Sequence, residues 1–242
     1  IEEGLAVMAE TTENPAQIKH ISVASVGEAG VLTDLEGNIT GPVMTWYDTR
    51  TRETSEEIIR KDGRKKIYGI TGLPAHSNYS INKIVWIREN TGKFSKTPKW
   101  LCLAEYITYK LTGIRKAEFS LASRTMALDI KKKEWSKEIL KSELLNREIF
   151  SELAESGVTA GGLNNETAQK TGLSCKTTVS TAGHDHMCGS VAAGIYDDKD
   201  ILNSTGTTEG LLFLKKEPGL GEDFYNSNFS NGIHVLKDFY TV

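Results

Sequence analysis

The apolar residues of this chain change their period twice, and that change limits the fold more than any single motif. Between Ile18 and Asp48 the stretches IKHISVAS, GVLTD and PVMTWYD alternate or run apolar, as strands do. From Thr49 to about Asn165 the spacing becomes helical. KTTVSTAG and DILNSTGTTEGLLFL then read as strands again, separated by DHMCGSVAAG, a helix of small residues. Strands, a long helical stretch and strand–helix–strand together describe an α/β core with a helical insertion.

Local signals refine this order. Ile1, Leu5 and Met8 share one face of an opening helix, which Asn14 and Pro15 end. Gly37-Asn38 in LEGN suits the positive φ of a tight hairpin turn. TRTRETSEEIIRKDG is a helix closed by Gly63, and SINKIVWIRENTG another, with Ser80 as N-cap and Gly92 past its end. KWLCLAEYITYKLTG repeats the pattern up to Gly113, and EWSKEILKSELLN and REIFSELAESG make two amphipathic pieces. NNETAQKTGLS is a short helix capped by Asn165 and stopped by Gly172. KKEPGLGED, with Pro218 and two glycines, marks a domain boundary between residues 1–215 and 216–242. No internal repeat or low-complexity linker interrupts the chain.

Bulk properties exclude some partners. At 242 residues the chain suffices for one large domain, or one domain and part of another. A net charge of −3 offers no basic surface for nucleic acid, and no apolar run approaches the roughly 18–20 residues of a membrane span. Cys102, Cys175 and Cys188 are scattered and odd in number, which suits a reducing cytoplasm rather than a disulfide framework. The chain starts at Ile1 and stops in GIHVLKDFYTV without a cap or tail, so an excised piece of a longer protein is expected.

Four constellations could carry chemistry. In TAGHDHMCGSVAAG a strand ends in small residues and Asp185 stands where a helix begins, a place that suits a ligand-facing acid and equally a helix cap. His184 and His186 flank it, but residues two apart share no helical face and no third metal ligand is near, so no metal site is expected. NSTGTTEG could gather N–H groups and hydroxyls around an anion, or simply turn a hairpin. It is not a Walker loop. VMTWYDTRTRE offers Trp46 as a flat surface for a sugar ring, with Asp48 and Arg50 as hydroxyl-binding groups. Asp48 could instead cap the next helix while Arg50 pairs with Glu53 or Glu57. SVGEAG holds Glu28 after a strand, where a lone acid is commonly an exposed turn residue.

In order and together these pieces resemble the FGGY family of carbohydrate kinases over nearly the whole chain. The resemblance runs through IKHISVASVGEAGVLTDLEGNITGPVMTWYDTRTRE, YSINKIVWIREN, WLCLAEYITYKLTG, ASRTMALD, EWSKEIL, SELAESG, NETAQKTGL, TAGHDH and NSTGTTEG. It implies a ribonuclease-H-like, actin-type α/β domain with a helical insertion. It also implies ATP and Mg2+ as cofactors and a small sugar or polyol as substrate, and leaves a homodimer open. By the resemblance Asp185 is the catalytic base, Glu28 contacts substrate hydroxyls and Trp46 lines the pocket. Asn78 or Tyr79 falls at a substrate-facing position, and Gly206, Thr207 and Thr208 receive the ATP phosphates. Two departures matter: Gly27 stands where glycerol kinases carry a glycerol-gripping arginine, and His184 precedes the acid where several members have only glycines. Both point away from glycerol. The family's amino-terminal phosphate loop and most of its adenosine site are not recognisable here, so this stretch alone is expected to be inactive, and a non-catalytic sugar-binding fragment is one alternative. An actin-like ATPase of the same fold superfamily is another, against which the W-x-D-x-R region and the insertion at roughly 50–165 speak.

Overall fold

The computed structural model describes residues 1–206 and 209–242. Helix α1 (Glu2–Thr11) opens the chain with two acids at its positive end. Leu5 and Ala9, one turn apart, face the core, whereas Ile1 and Met8 are exposed, so the apolar face differs from the Ile1–Leu5–Met8 stripe expected. Strands β1 (His20–Ser25) and β2 (Gly30–Thr33) follow. After β2 the Asp34 carboxylate accepts the Asn38 N–H at 2.8 Å while Gly37 takes φ 86°. PVMTWYD forms no strand: one bridge joins Met44 to Gly30, and the rest is loop. Pro42 has no N–H to give a ladder, and only Met44 of the apolar residues here is buried.

Helices α2 (Arg52–Asp62), α3 (Arg64–Thr71) and α4 (Ser80–Asn90) come next. The N-cap of α4 is Tyr79 rather than Ser80, because Lys83 reaches back to the Asn78 carbonyl (2.7 Å) and fixes the helix entry one residue earlier. KWLC, expected as helix, is strand β3 (Lys99–Cys102), since it pairs antiparallel with β2 from Gly30–Cys102 to Thr33–Lys99. It leads directly into α5 (Leu103–Thr112), ended by left-handed Gly113. Short elements then alternate: β4 (Ala117–Glu118), α6 (Phe119–Ala122), β5 (Leu128–Asp129), β6 (Glu134–Trp135) and α7 (Lys137–Ser142). REIFSELAESG is not a helix but a 3-10 turn and strand β7 (Leu153–Ala154). Stacking of Phe150 on Trp135 at 4.1 Å and pairing of β7 with β4 hold it extended.

Strand β8 (Thr159–Gly162) precedes α8 (Asn165–Thr171), whose cap is Asn164, one residue before the expected Asn165, accepting the Thr167 N–H at 2.8 Å. The end comprises β9 (Thr178–His184), α9 (Asp185–Ala192), β10 (Ile201–Thr205), β11 (Glu209–Lys215), α10 (Glu222–Asn226), β12 (Gly232–Ile233) and β13 (Tyr240–Thr241).

The first and last strand-forming regions meet in a sheet of order β1-β9-β8, with β1 parallel and β8 antiparallel to β9. The stretch read as a helical insertion therefore also contains β3 to β8, each too short to show a strand period. Its packed interior, including Ile81, Ile84, Trp100, Met126, Trp135 and Phe150, forms the main core. A smaller core under α1 joins Ala9, Leu111, Leu163, Leu173 and Val179. Beyond KKEP the chain returns to α3: Tyr68 Oη donates to the Gly219 carbonyl, and buried Asn231 donates to Gly72 O at 3.1 Å. Among the described residues no helix is long and apolar enough to cross a membrane.

Candidate active site

Because β1 and β9 are parallel with Ser25 opposite His184, their C-terminal ends emerge side by side. Ligands in α/β proteins bind at such ends. Here β1 delivers Gly27 and Glu28, and β9 delivers His184 and Asp185. A Cβ on Gly27 would stand 2.6 Å from His184 Cδ2 and 3.3 Å from Arg124 Cγ, so the absence of a side chain lets the three segments close up.

Glu28 is not the exposed turn acid suggested by its isolation: it is 6% exposed, and its carboxylate accepts from Arg124 Nε and Nη2 at 2.6 Å each. Its backbone sits in the left-handed region at φ 59°, a conformation that costs a non-glycine residue about 1 kcal/mol. Two contacts offset that cost. One is the Arg124 pair, whose Nε and Nη2 converge on Glu28 Oε1, and the other is the ammonium of Lys83, which donates to the Glu28 carbonyl and to the Asn78 carbonyl. Burial pulls the Lys83 amine down to about 8, against the opposing pull of Glu28, Cys102 and Asp48 nearby. One lysine thus ties the end of β1 to the loop before α4.

That loop carries Asn78, whose Oδ1 meets His76 Nδ1 at 2.9 Å. Asn78, His76, Tyr79, Arg64, Arg124 and Ser230 are among the residues lining a cleft of about 510 Å³. The Arg124 guanidinium lies 5.4 Å from the Tyr79 ring centroid. Thr51, preceding α2, donates to the Ser77 carbonyl (2.8 Å) and braces the loop from the other side.

Asp185 is the first residue of α9 rather than its cap. The cap is His184, whose Nδ1 accepts the His186 N–H at 3.2 Å. The same N–H is 2.7 Å from Asp185 Oδ1, and the Asp185 side chain is 45% exposed. Behind it, His184 N donates to Ser120 Oγ (2.9 Å), which in turn donates to buried Glu118 at 2.6 Å. Burial, then the Arg124 charge, pulls the His184 imidazole down to about 4, so the ring is neutral at physiological pH. Among the described residues, no three His, Cys, Asp or Glu converge as metal ligands.

Trp46 lies on the surface loop, 44% exposed and edge-on to Tyr47 at 5.3 Å, and it neither lines the 510 Å³ cleft nor hydrogen-bonds to the cluster among the described residues. Arg50 pairs with Asp48 (2.5 Å) instead of Glu53 or Glu57, since the two fold over one turn; this pair holds the Asp48 carboxyl below its usual range. Gly206 follows β10 in an exposed bend, and Thr207 and Thr208 lie outside the described residues. Arg124 and Lys83 hold the corner together, and neither is among the site residues expected from the sequence. Their only signal is a long cation set among small or apolar residues in ASRTMALD and SINKIVW.

Known proteins place this geometry. The chain is 31% identical over 207 residues to an L-fuculokinase of Escherichia coli (strain K12), which covers 85% of this chain and 43% of that protein. It is 32% identical over 244 residues to a xylulose kinase of Bacillus subtilis (strain 168), at 99% and 48% coverage. The chain thus spans less than half the length of these relatives. A ligand-bound xylulose kinase from Lactobacillus acidophilus superposes with a TM-score of 0.88 at 20% identity, covering 99% of this chain and 48% of that one. Such a likeness extends over the strand–insertion–strand order as a whole and shows the ribonuclease-H-like, actin-type fold. The family model "FGGY family of carbohydrate kinases, N-terminal domain" matches residues 4–192, a span that takes in every residue of the corner where β1 and β9 end. The chain belongs to the FGGY family of carbohydrate kinases.

Proposed function

We propose that the protein bearing this chain transfers the γ-phosphoryl group of ATP to a hydroxyl of a small sugar or polyol, with Asp185 as the general base. One observation carries this reading: a solvent-open carboxylate at the start of α9, just past β9, stands near a buried, immobilised ion pair between Glu28, just past β1, and Arg124 of the insertion. A phosphoryl acceptor needs one group to take its proton and others to hold it still. Asp185 receives the acceptor O–H proton as the new O–P bond forms, a contribution of roughly 10²–10⁴-fold. Glu28 and Arg124 orient neighbouring hydroxyls, Asn78 reaches them from the opposite wall, and Trp46 offers an apolar face to the ring.

Gly206, Thr207 and Thr208 are assigned to the phosphates. ATP supplies the phosphoryl group, and Mg2+ neutralises charge on its phosphates. Three free cysteines and an ATP requirement support a cytoplasmic location for the enzyme. The test is ADP formation by the intact protein with ATP and a panel of pentuloses, hexuloses, alditols and sugar acids. Acceptor-dependent ADP release is expected. Hydrolysis indifferent to every sugar, or filament formation, would replace the kinase reading with an actin-like ATPase.

A further inference from the structure

We propose that His234 is a positioning residue for phosphoryl transfer: its ring ties α9, and with it Asp185, to the hairpin of β12 and β13. The inference rests on the kinase reading above, in which Asp185 is the base, and adds a buried residue that acts through that base.

Helix α9 has little footing of its own. Asp185 and His186 are exposed at its start, Gly189 puts no side chain into its middle, and its two buried residues are Met187 and Ser190. Both rest on the segment that begins at β12. A Cβ on Gly232 would stand 2.8 Å from Met187 Cε, and Ser190 Oγ lies 2.9 Å from His234 Nε2. Just upstream, a Cβ on Gly183 would stand 2.6 Å from Val235 Cγ1, so the end of β9 presses on the same segment. That segment is itself rooted in the insertion: the Ile233 N–H donates to Ser123 Oγ at 3.1 Å, and the Asn231 N–H to the Gly72 carbonyl at 2.9 Å.

The hydrogen bonds around the ring run in one direction. The Leu236 backbone N–H donates to Nδ1 at 3.1 Å, so Nδ1 accepts and the ring proton belongs on Nε2. Nε2–H donates to Ser190 Oγ, whose own O–H donates to the Met187 carbonyl at 2.8 Å. Burial pulls the imidazole down to about 4, so the ring is neutral at physiological pH and fits this arrangement without a counter-charge. The chain of bonds therefore ends in the first turn of α9, two residues from Asp185. At its other end the His234 backbone N–H donates to the Phe239 carbonyl at 3.0 Å and closes the β12–β13 turn, and β13 pairs with β11. His234 thus joins the helix that carries the base to the sheet that leads to Gly206. A base displaced by about 1 Å loses up to about 10²-fold in rate, so such a tether bears on turnover more than on binding.

The test uses the intact kinase with ATP and its accepted sugar. His234→Asn keeps an oxygen for the Leu236 N–H but falls short of Ser190, whereas His234→Gln brings an amide N–H to the Nε2 position. His234→Asn should lower kcat about tenfold with KM for the sugar within about twofold, and His234→Gln should recover most of that loss. In an Asp185→Asn background His234→Asn should cost no more than about twofold, because no base is left to misplace. A residue that served folding alone would lower activity by the same factor in both backgrounds. Should His234→Asn fold poorly, Ser190→Ala removes the same bond from the α9 side and supplies the same comparison. An unchanged kcat in the folded variant, or an equal loss with and without Asp185, overturns the inference and leaves the kinase reading intact. An unaltered protein that phosphorylates no acceptor overturns both.

Discussion

The corner where β1 and β9 end and the ribbon formed by β10 and β11 are built in opposite ways. At the corner, Glu28, Lys83, Arg124 and His184 are withdrawn from water, and both ionised side chains and backbone carbonyls there have named partners. In the ribbon, exposure alternates along β10, and Ile201 and Leu211 are each 63% exposed. Among the described residues β11 is anchored towards its far end, where Phe213 exchanges backbone hydrogen bonds with Val242 and Leu214 and Lys215 pair with β13. The acceptor side of the proposed site is thus held by contacts within residues 20–190, while the strand pair leading to Gly206 has little under it. Regions with few buried contacts open locally at low cost, whereas those woven into a core open only with the whole domain.

The contrast can be broken most forcefully by chemistry at the corner. Asp185→Asn should lower kcat by about 10²–10⁴-fold in the intact kinase with KM for the sugar nearly unchanged, as read in steady-state assays. Arg124→Met keeps the bulk but strands Glu28 without its partner, and chemical denaturation should show a loss of about 3 kcal/mol or more. Preserved stability there would mean the corner is no better anchored than the ribbon.

A subtler probe lies in α5, beneath the corner. Glu105 is buried, with Oε1 unpartnered, and burial raises its carboxyl to about 7 from an ordinary 4.5. The unfolded chain releases this proton near pH 4.5, whereas the folded chain holds it until about pH 7. Stability therefore falls as pH rises through that window, by about 3 kcal/mol at pH 8. Glu105→Gln should remove this loss, being more stable than the unaltered protein at pH 8 and showing no such gain below pH 4.5. The smallest effect belongs to the ribbon. Leu211→Ser should alter unfolding stability by no more than about 0.5 kcal/mol.

What the sequence shows of this arrangement depends on how local each feature is. The strand–Asp185–helix junction is legible because the period changes within a few residues around one acid. The glycine stops at 63, 113 and 172 are legible because each takes a positive φ that other residues resist. KWLC is misread as helix because a run of three apolar residues after Lys99 fits either period, and its pairing with β2, some seventy residues away, decides. Glu28 looks like a surface acid because its partner is 96 positions distant, and Lys83 hides its role for the same reason, reaching back 55 residues to the Glu28 carbonyl. A buried ion pair leaves no periodic trace in either segment. The Gly27–His184 contact shows in sequence only as two separate oddities, which the parallel pairing of β1 with β9 makes one.

The central claim is that an acceptor sugar binds at the corner and not along the ribbon. Hydrogen exchange read by mass spectrometry on the Asp185→Asn protein, with the accepted sugar and no nucleotide, tests it directly because binding proceeds without turnover. Slowed exchange is expected at Gly27–Ala29, Asn78–Ser80 and His184–Met187, with no change over Ile201–Thr205 or Glu209–Lys215. Protection confined to the ribbon, with the corner unaltered, would contradict the account.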